Sequence, residues 1–251
     1  MYLMYPSKED LYDASFFSSQ RKGSKRAAEI IAKRVACLVR PDSVIDVGCG
    51  VGAWARAFLH CGASHVRGVD GEWVNKNDLS IRPEYFTEAD LSGDWHVSGA
   101  YDLAVCLEVA EHLPPEQSHT FVRKLCDLAP VVLFSAAIPG QQGVNHINER
   151  WQHEWVEIFN KVSDFTVVDI LRWEFWMDDR IPIWYRQNML LFVKDDVLSH
   201  YNELKRAQTS SVHHGCSVVH PILAYPRFQM AAETLEQKGV KILSKALGIS
   251  L

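Results

Sequence analysis

The chain has 251 residues, of which 23% are charged, and its formal net charge is −5. This acidic balance argues against a broad nucleic-acid surface, because such surfaces need clustered Lys and Arg. No apolar run approaches the length of a membrane span, and the first residues do not resemble a secretion signal. Six cysteines without CxxC spacing indicate reduced thiols. We therefore expect a cytoplasmic protein that acts on a small molecule, with neither a nucleic-acid nor a membrane partner.

The N-terminal 40 residues are predicted to contain an aromatic segment followed by a helix. Apolar residues recur at helical spacing from Ala27 to Leu38, and Pro41 ends the pattern. The preceding residues show no clear period. Aromatic side chains there, including Tyr12 and Phe16, are candidates either for a lid that contacts a substrate or for a hydrophobic anchor.

A glycine-rich turn follows the first predicted strand, in the sequence SVIDVGCGVGAW from Ser43 to Trp54. Gly48, Gly50 and Gly52 lack the side chains that would keep a ligand away from the backbone and from the N-terminus of the next helix. The stretch therefore predicts a loop that binds a nucleotide-like cofactor. The same glycine spacing fits the dinucleotide fingerprint, so NAD is one alternative.

The middle of the chain alternates between strand and helix patterns, which predicts a parallel sheet. After the first strand, further strands are expected at 65–69, 85–89, 101–106 and 130–135, with helices at 52–61, 115–128 and 151–162. The runs 165–173 and 187–193 resemble an antiparallel hairpin. Helices are expected at 196–207 and 228–247.

An acidic residue ends the first strand, and a second acidic motif follows the fourth. Asp46 precedes the glycines, and the later segment reads Cys106-Leu-Glu-Val-Ala-Glu-His-Leu-Pro114. Together these motifs resemble the class I S-adenosylmethionine-dependent methyltransferases over roughly residues 24 to 195. The resemblance implies a Rossmann-like, doubly wound sheet of seven strands, mostly parallel with an antiparallel seventh strand.

The resemblance implies three parts of the chain. These are an N-terminal lid and helix at 1–40, a cofactor-binding methyltransferase domain at 41–195, and a C-terminal helical extension at 196–251. It also implies the ligands of the cofactor's methionine end. The Asp46 carboxylate supports the ammonium group or an ordered water beside it, and the backbone carbonyls of Cys106 and Leu107 accept hydrogen bonds from the ammonium.

The resemblance places the adenosine part of the cofactor at the second and third strands. Asp70 follows the second strand, where its carboxylate accepts hydrogen bonds from both ribose hydroxyls. Asp90 accepts the adenine amine, and the Leu91 N–H reaches the ring. Trp73 either covers the adenine face or lies at the rim of the core.

Glu108, Glu111 and His112 have the spacing of one helical turn and are expected on one face. Glu108 and His112 are therefore candidate catalytic residues. The pattern is similar to one in quinone-pathway and small-RNA methyltransferases, where such residues, with another His such as His146, can hold a divalent ion. The alternatives are a Mg²⁺ site or a hydrogen-bonded scaffold without metal.

The loop after the fifth strand is long, polar and rich in glycine, as expected of an active-site loop. His146 is the candidate general base, because imidazole titrates near neutrality. The alternative is a histidine that only braces Asn148 or Glu149. Asn145, Asn148 and Arg150 are candidate acceptor contacts, and Asn148 is equally compatible with a helix N-cap.

The sequence thus predicts an enzyme that transfers a methyl group from S-adenosylmethionine to a small-molecule acceptor. The expected acceptor atom is a hydroxyl oxygen of a sugar or a secondary metabolite, by analogy of fold. Three alternatives stay open: a metal-assisted O-methyltransferase, an NAD-dependent dehydrogenase and a non-catalytic cofactor-binding module. An aromatic group near residues 173–185 is compatible with a homodimer interface or with core.

Overall fold

The computed structural model describes residues 14–141, 143–208 and 216–224, with the backbone alone for 14–22. Tyr12 and the predicted helix 228–247 lie outside the described residues, and Phe16 is described only as part of a helical backbone. The chain divides into two compact units, Met1–Ser217 and Val218–Leu251. In the second unit, residues 221–224 are helical.

The first unit is built on a single seven-stranded sheet. Its strands are β1 (Ser43–Val47), β2 (His65–Asp70), β3 (Phe86–Glu88), β4 (Leu103–Leu107), β5 (Val131–Ser135), β6 (Phe165–Val168) and β7 (Leu190–Lys194). The spatial order is β3-β2-β1-β4-β5-β7-β6. The pairs among β1 to β5 are parallel, and β7 runs antiparallel to both β5 and β6. The predicted fold class is confirmed.

The strand order reverses between β1 and β4, which pair directly. From this point, β2 and β3 extend the sheet to one side, and β5, β7 and β6 extend it to the other. Ligands of doubly wound sheets bind at the carboxyl ends of the strands beside such a reversal. Residues that follow β1 and β4 are therefore the first to inspect for a site.

Helices cover both faces of the sheet, so the strands are buried on both sides. The helices are α1 (Ala14–Val39), α2 (Ala53–His60), α3 (Ser118–Leu128), α4 (Gln152–Val162), α5 (Leu171–Phe175), α6 (Ile183–Asn188), α7 (Asp195–Leu198) and α8 (Asn202–Gln208). Alternating residues of β1 enter two separate cores: Val44 packs with α1 and α2, and Ile45 packs with α3 and α4. No helix among the described residues is long and apolar enough to cross a bilayer.

The predicted strand 165–173 is wrong in its second half, because β6 ends at Val168 and α5 begins at Leu171. The cause is a buried local ion pair. Arg172 donates from Nε to the Asp169 carboxylate at 2.9 Å, and it also donates to the Gln187 carbonyl at 3.2 Å. A pair three residues apart is compatible with a turn of helix and not with an extended strand.

Two further boundaries differ from the prediction. The predicted strand at 187–193 starts too early, since residues up to Asn188 belong to α6 and β7 begins at Leu190. Helix α1 begins at Ala14, inside the segment predicted to lack a clear period. The sequence contains no proline between Pro6 and Pro41, so nothing in it interrupts a helix there.

Candidate active site

The glycine loop joins β1 to α2 with three glycines in the left-handed region: Gly48 (φ 79°), Gly50 (φ 51°) and Gly52 (φ 77°). A Cβ atom on Gly48 would lie 2.2 Å from the Val109 side chain. A Cβ atom on Gly50, by contrast, would meet no atom of the other described residues within 4 Å. Packing thus requires glycine at position 48, whereas Gly50 leaves open space beside the loop.

Asp70 ends β2 and bonds directly to this loop. One carboxylate oxygen accepts a hydrogen bond from the Gly50 N–H at 2.7 Å, and the other accepts one from the Gly71 N–H at 2.7 Å. Burial raises the pKa of Asp70, and these two N–H groups oppose that shift. These two N–H groups use only part of the acceptor capacity of the carboxylate, so it can still accept a hydrogen bond from a ligand.

Trp73 lies beside Asp70 and is 70% exposed. Its ring covers Gly71 so closely that a Cβ atom there would lie 2.2 Å from it, and Asp70 accepts a hydrogen bond from the Trp73 side chain. The neighbouring loop after β3 is tied to the same strand end, because the Ala89 N–H donates to the Asp70 carbonyl at 2.8 Å. An exposed aromatic face therefore stands next to the Asp70 carboxylate.

Asp90 and Leu91 follow that tie, with Asp90 exposed and Leu91 buried. The Asp90 carboxylate accepts hydrogen bonds from the Ser92 N–H at 2.9 Å and from its hydroxyl at 2.6 Å. Both bonds fall on one oxygen, Oδ1. The Asp90 carboxylate thus closes a local turn at the end of the sheet that carries Asp70.

Asp46 lies beneath the loop and is 2% exposed. Its carboxylate accepts a hydrogen bond from the Ala55 N–H in the first turn of α2, at 3.2 Å. Burial raises the pKa of Asp46 to about 7, against the lowering effect of that N–H, and the Asp70 charge adds to the increase. Asp46 therefore braces the N-terminus of α2 from below.

The end of β4 brings the backbone to the same edge. Cys106 and Leu107 are buried, so only their backbone can serve a ligand. Glu108 follows with φ 57°, and its N–H donates to the Ser135 carbonyl at 3.0 Å. This left-handed backbone is uncommon for a residue with a side chain and marks the end of the strand as specialised.

Two amide side chains that the sequence did not indicate hold the Glu108 carboxylate. Asn188 donates from Nδ2 to Glu108 at 3.2 Å and to Gln141 Oε1 at 2.9 Å, and Gln141 Nε2 lies 3.5 Å from Glu108. Burial raises the pKa of Glu108, while bonds from Ser135 and Asn188 lower it. Gln141 comes from the loop after β5 and Asn188 from α6, and no motif marks either residue.

Glu111 is fully buried beside Glu108. Its Oε1 atom accepts a hydrogen bond from the Ala137 N–H at 3.3 Å, whereas Oε2 has no hydrogen-bond partner of acceptable geometry among the described residues. Burial and the charge of Glu108 raise the pKa of Glu111 well above its ordinary value. The Glu111 carbonyl accepts two N–H groups of the loop after β5, from Ile147 at 2.9 Å and Asn148 at 3.0 Å.

Two histidines meet where this loop contacts the turn after β4. The rings of His112 and His146 lie edge to face with centroids 4.9 Å apart. His112 Nδ1 is 3.3 Å from the Asn145 carbonyl, and His146 Nδ1 is 3.1 Å from the Glu149 carboxylate. Burial and the neighbouring His146 lower the pKa of His112.

Three of the four residues named for a divalent ion come together. One ligand atom each from Glu111, His112 and His146 lies within 4.8 Å of the others. Glu108 is held separately by its amide partners. Glu111 and His112 of the i, i+3, i+4 pattern thus join the cluster and Glu108 does not, because the turn that carries the first two is a 3₁₀ turn, Ala110–His112, which begins after Glu108.

The interpretation of Asn148 as an acceptor contact does not fit its surroundings. Asn148 is 4% exposed and donates from Nδ2 to the Ala110 carbonyl at 3.1 Å and to Ser118 Oγ at 3.0 Å. Its Oδ1 atom accepts a hydrogen bond from Arg150 Nε at 2.8 Å. Asn148 therefore supports the loop from inside, and α4 begins without it as an N-cap, at Gln152.

Arg150 and Asn145, the other two candidate acceptor contacts, have different surroundings. The Arg150 guanidinium binds Asn148 and lies over the ring of Trp155, 5.6 Å from its centroid, so its main contacts are structural. Asn145 is exposed and has a left-handed φ of 57°. Of these three candidates, Asn145 is the most exposed, Arg150 is partly exposed and Asn148 is buried.

The chain matches the family model described as a methyltransferase domain over residues 18–181, which is more than half of its length. The chain belongs to this methyltransferase family. The match confirms the resemblance to the class I S-adenosylmethionine-dependent methyltransferases. The alternative of an NAD-dependent dehydrogenase is therefore not retained.

Individual proteins similar to this methyltransferase differ in their substrates. A ubiquinone biosynthesis O-methyltransferase of Marinobacter nauticus is 30% identical over 133 residues, which are 44% of this chain and 55% of that protein. The match thus spans about half the length of the curated relative.

Among solved structures, magnesium protoporphyrin IX methyltransferase of Synechocystis has a TM-score of 0.52 at 19% identity, covering 73% of this chain and 86% of that one. An amino pentose methyltransferase of Micromonospora echinaspora has 0.53 at 13%, covering 73% and 98%. These structures support the fold.

The buried Asp46 carboxyl gives a pH-dependent stability that a substitution can remove. Its folded pKa of about 7 exceeds the ordinary value of 3.8, so the folded chain holds this proton more tightly than the unfolded chain does. The resulting stabilisation is complete below 3.8 and is lost as the pH rises through about 7. We expect Asp46→Asn to flatten this decline in the free energy of unfolding, measured by urea titration of cofactor-free protein at several pH values. Parallel curves for the two proteins would contradict the assignment, and Asp127→Asn on the exposed face of α3 is the control.

Proposed function

We propose that this methyltransferase transfers the methyl group of S-adenosylmethionine to a hydroxyl oxygen of a small molecule, a sugar or a secondary metabolite. The observation that carries the proposal is the position of His146. It lies at the carboxyl edge of the sheet, next to the turn after β4, with Nδ1 bonded to a carboxylate. The O-methyltransferase name of the relative from Marinobacter nauticus favours oxygen over nitrogen or carbon.

The adenosine end of the cofactor is assigned to the edge formed by β2 and β3. The free lone pairs of Asp70 accept the ribose hydroxyls, and Trp73 covers the adenine ring from its exposed side. Asp90 and the Leu91 N–H take the polar edge of the adenine. The bond between Ala89 and the Asp70 carbonyl supports this assignment, because it holds both segments at one strand end.

The methionine end is assigned to the glycine loop and the end of β4. Gly48, Gly50 and Gly52 leave the backbone accessible, and Asp46 fixes the N-terminus of α2 behind them. The backbone carbonyls of Cys106 and Leu107 are proposed to accept hydrogen bonds from the ammonium group. When bound, S-adenosylmethionine supplies an activated methyl group, so the protein mainly has to align the acceptor.

The acceptor is proposed to bind against the loop after β5. His146 takes the hydroxyl proton at Nε2, since its Nδ1 is engaged. Glu108 and His112 border the same space, and Asn145 contacts the acceptor from the exposed side of the loop. Contacts from Tyr12 and Phe16 stay predictions, as does a homodimer, whereas Asn148 and Arg150 are now better explained as supports of the loop.

Asp70→Ala is expected to weaken binding of S-adenosylhomocysteine by roughly 2 kcal/mol or more, because it removes charge-assisted hydrogen bonds. Isothermal titration measures the change. Asp127→Ala, an exposed aspartate of α3, is the matched control and should bind as the wild type does. Equal affinity of Asp70→Ala and wild type would place the ribose elsewhere.

His146→Gln is expected to reduce methyl transfer by about 100-fold or more while leaving the affinity for S-adenosylhomocysteine nearly unchanged, because a general base contributes to the chemical step alone. An acceptor screen of hydroxyl compounds with mass-spectrometric detection of the methylated product provides the assay. Wild-type turnover in this variant would move the role of base to His112. Cofactor binding without turnover on any acceptor would favour the non-catalytic alternative.

A metal-assisted reaction is a second candidate, favoured by Glu111 Oε2. This buried oxygen has no hydrogen-bond partner of acceptable geometry among the described residues, and two imidazoles lie within 4.8 Å of the same carboxyl group. One carboxylate and two imidazoles form a donor set that suits a divalent ion. Glu111, His112 and His146 would then hold the ion, whose chemistry would be to lower the pKa of an acceptor hydroxyl.

Binding of Mn²⁺, followed by electron paramagnetic resonance without any acceptor, separates the two candidates. If the metal site exists, Glu111→Gln should weaken Mn²⁺ binding by about tenfold or more, because an amide is a poorer ligand than a carboxylate. Glu116→Gln, in the exposed turn that follows, is the control. Identical Mn²⁺ binding in wild type and Glu111→Gln would argue against the metal site and favour a reaction that uses no metal.

A further inference from the structure

We propose that Glu149 is a positioning residue for His146, which it holds in the tautomer that leaves Nε2 free to accept a proton. This inference rests on the proposed function, in which His146 is the general base. From the sequence alone, Glu149 is a residue that His146 could brace. The geometry points to the opposite relation, in which Glu149 orients the imidazole.

The Glu149 carboxylate is fixed at both of its oxygens. Oε1 lies 3.1 Å from His146 Nδ1, and Oε2 accepts a hydrogen bond from the Gly140 N–H at 2.5 Å. The two side chains are largely buried, with 12% of His146 and 19% of Glu149 exposed. An ionised carboxylate only accepts hydrogen bonds, so this contact places the proton on Nδ1 and leaves the lone pair on Nε2.

Gly143 packs against the second ring nitrogen, where there is no room for a side chain. A Cβ atom at this position would lie 2.1 Å from His146 Nε2, so any other residue would press on the nitrogen that must receive the proton. The loop itself is held in place, because Ile147 and Asn148 donate to the Glu111 carbonyl. The Glu149 carboxylate, Gly143 and the backbone hydrogen bonds of the loop thus together fix the position of the His146 ring.

The same contact also helps after proton transfer. As the acceptor oxygen forms its bond to the methyl carbon and the bond from that carbon to sulfur breaks, the hydroxyl proton passes to Nε2. The resulting imidazolium carries a positive charge next to the Glu149 carboxylate, which stabilises it. No further reactant is needed for this step.

The tautomer can be read by NMR without knowing the acceptor. We would record long-range ¹H–¹⁵N spectra of the ring nitrogens in the full chain bound to S-adenosylhomocysteine, with EDTA, in buffer alkaline enough to keep imidazoles neutral. His146→Gln identifies the signals by their loss. In the wild type we expect Nδ1 at the protonated position and Nε2 at the unprotonated position, as a single tautomer.

Glu149→Gln is the decisive variant, because its amide offers one acceptor oxygen where the carboxylate offers two. The Gly140 N–H and His146 Nδ1 contact different oxygens of the carboxylate, so in the amide one of them would face an NH₂ group, which cannot accept a hydrogen bond. We expect the His146 nitrogen signals to shift toward the tautomer with the proton on Nε2. Glu157→Gln, an exposed glutamate of α4, should leave them unchanged.

Two outcomes would overturn the proposal. One is a wild-type His146 with the proton on Nε2, which decides the question even if the variants do not fold. The other is a folded Glu149→Gln whose His146 signals match the wild type. Loss of S-adenosylhomocysteine binding by the wild type would instead count against the proposed function, so the two failures are distinguishable.

Discussion

The carbonyl oxygen of Glu111 is the contact on which the candidate active site depends. It accepts the N–H groups of Ile147 and Asn148, and so joins the turn after β4 to the loop after β5. These two segments are more than 30 residues apart in the chain, and each carries one of the paired histidines. The Asn148 side-chain amide also donates to the Ala110 carbonyl and to Ser118 Oγ. The contact between the two segments is therefore buried, and the Asn148 amide in it is hydrogen-bonded. The segments that carry the imidazoles are held by backbone contacts of this kind, which suits a reaction that depends mainly on alignment of the reactants.

Four carboxyl groups lie at the carboxyl edge of the sheet, at Asp46, Asp70, Glu108 and Glu111. Their described hydrogen bonds come from backbone N–H groups, hydroxyls, an indole and side-chain amides, and no Lys or Arg contributes to any of them. Burial raises the pKa of each group, because removing a carboxylate from water is costly without a cation. S-adenosylmethionine carries a positive sulfonium and an ammonium group. A cationic ligand at this edge would therefore offset part of the cost of burying these carboxylates.

Structural features with local causes could be predicted from the sequence. The β-branched runs, the glycines and the acids at strand ends are read from neighbouring residues, and so β1, the loop and the places of Asp46 and Asp70 could be predicted. The sequence did not predict structure that depends on a distant or buried partner. The pair of Arg172 with Asp169 is compatible with a helix where the sequence pattern predicted a strand. The burial of Asn148 depends on hydrogen-bond partners 30 and 38 residues away. The amide of Asn188 at Glu108 has no sequence signal, because tertiary contact alone brings it there.

The central claim is that the carboxyl ends of β1, β2 and β4 form the cofactor site. The most direct measurement is isothermal titration of the cofactor-stripped protein with S-adenosylhomocysteine in EDTA, with NAD as the comparison ligand. The account predicts saturable binding of S-adenosylhomocysteine at one site per chain and no heat from NAD. Binding of NAD without binding of S-adenosylhomocysteine would contradict it.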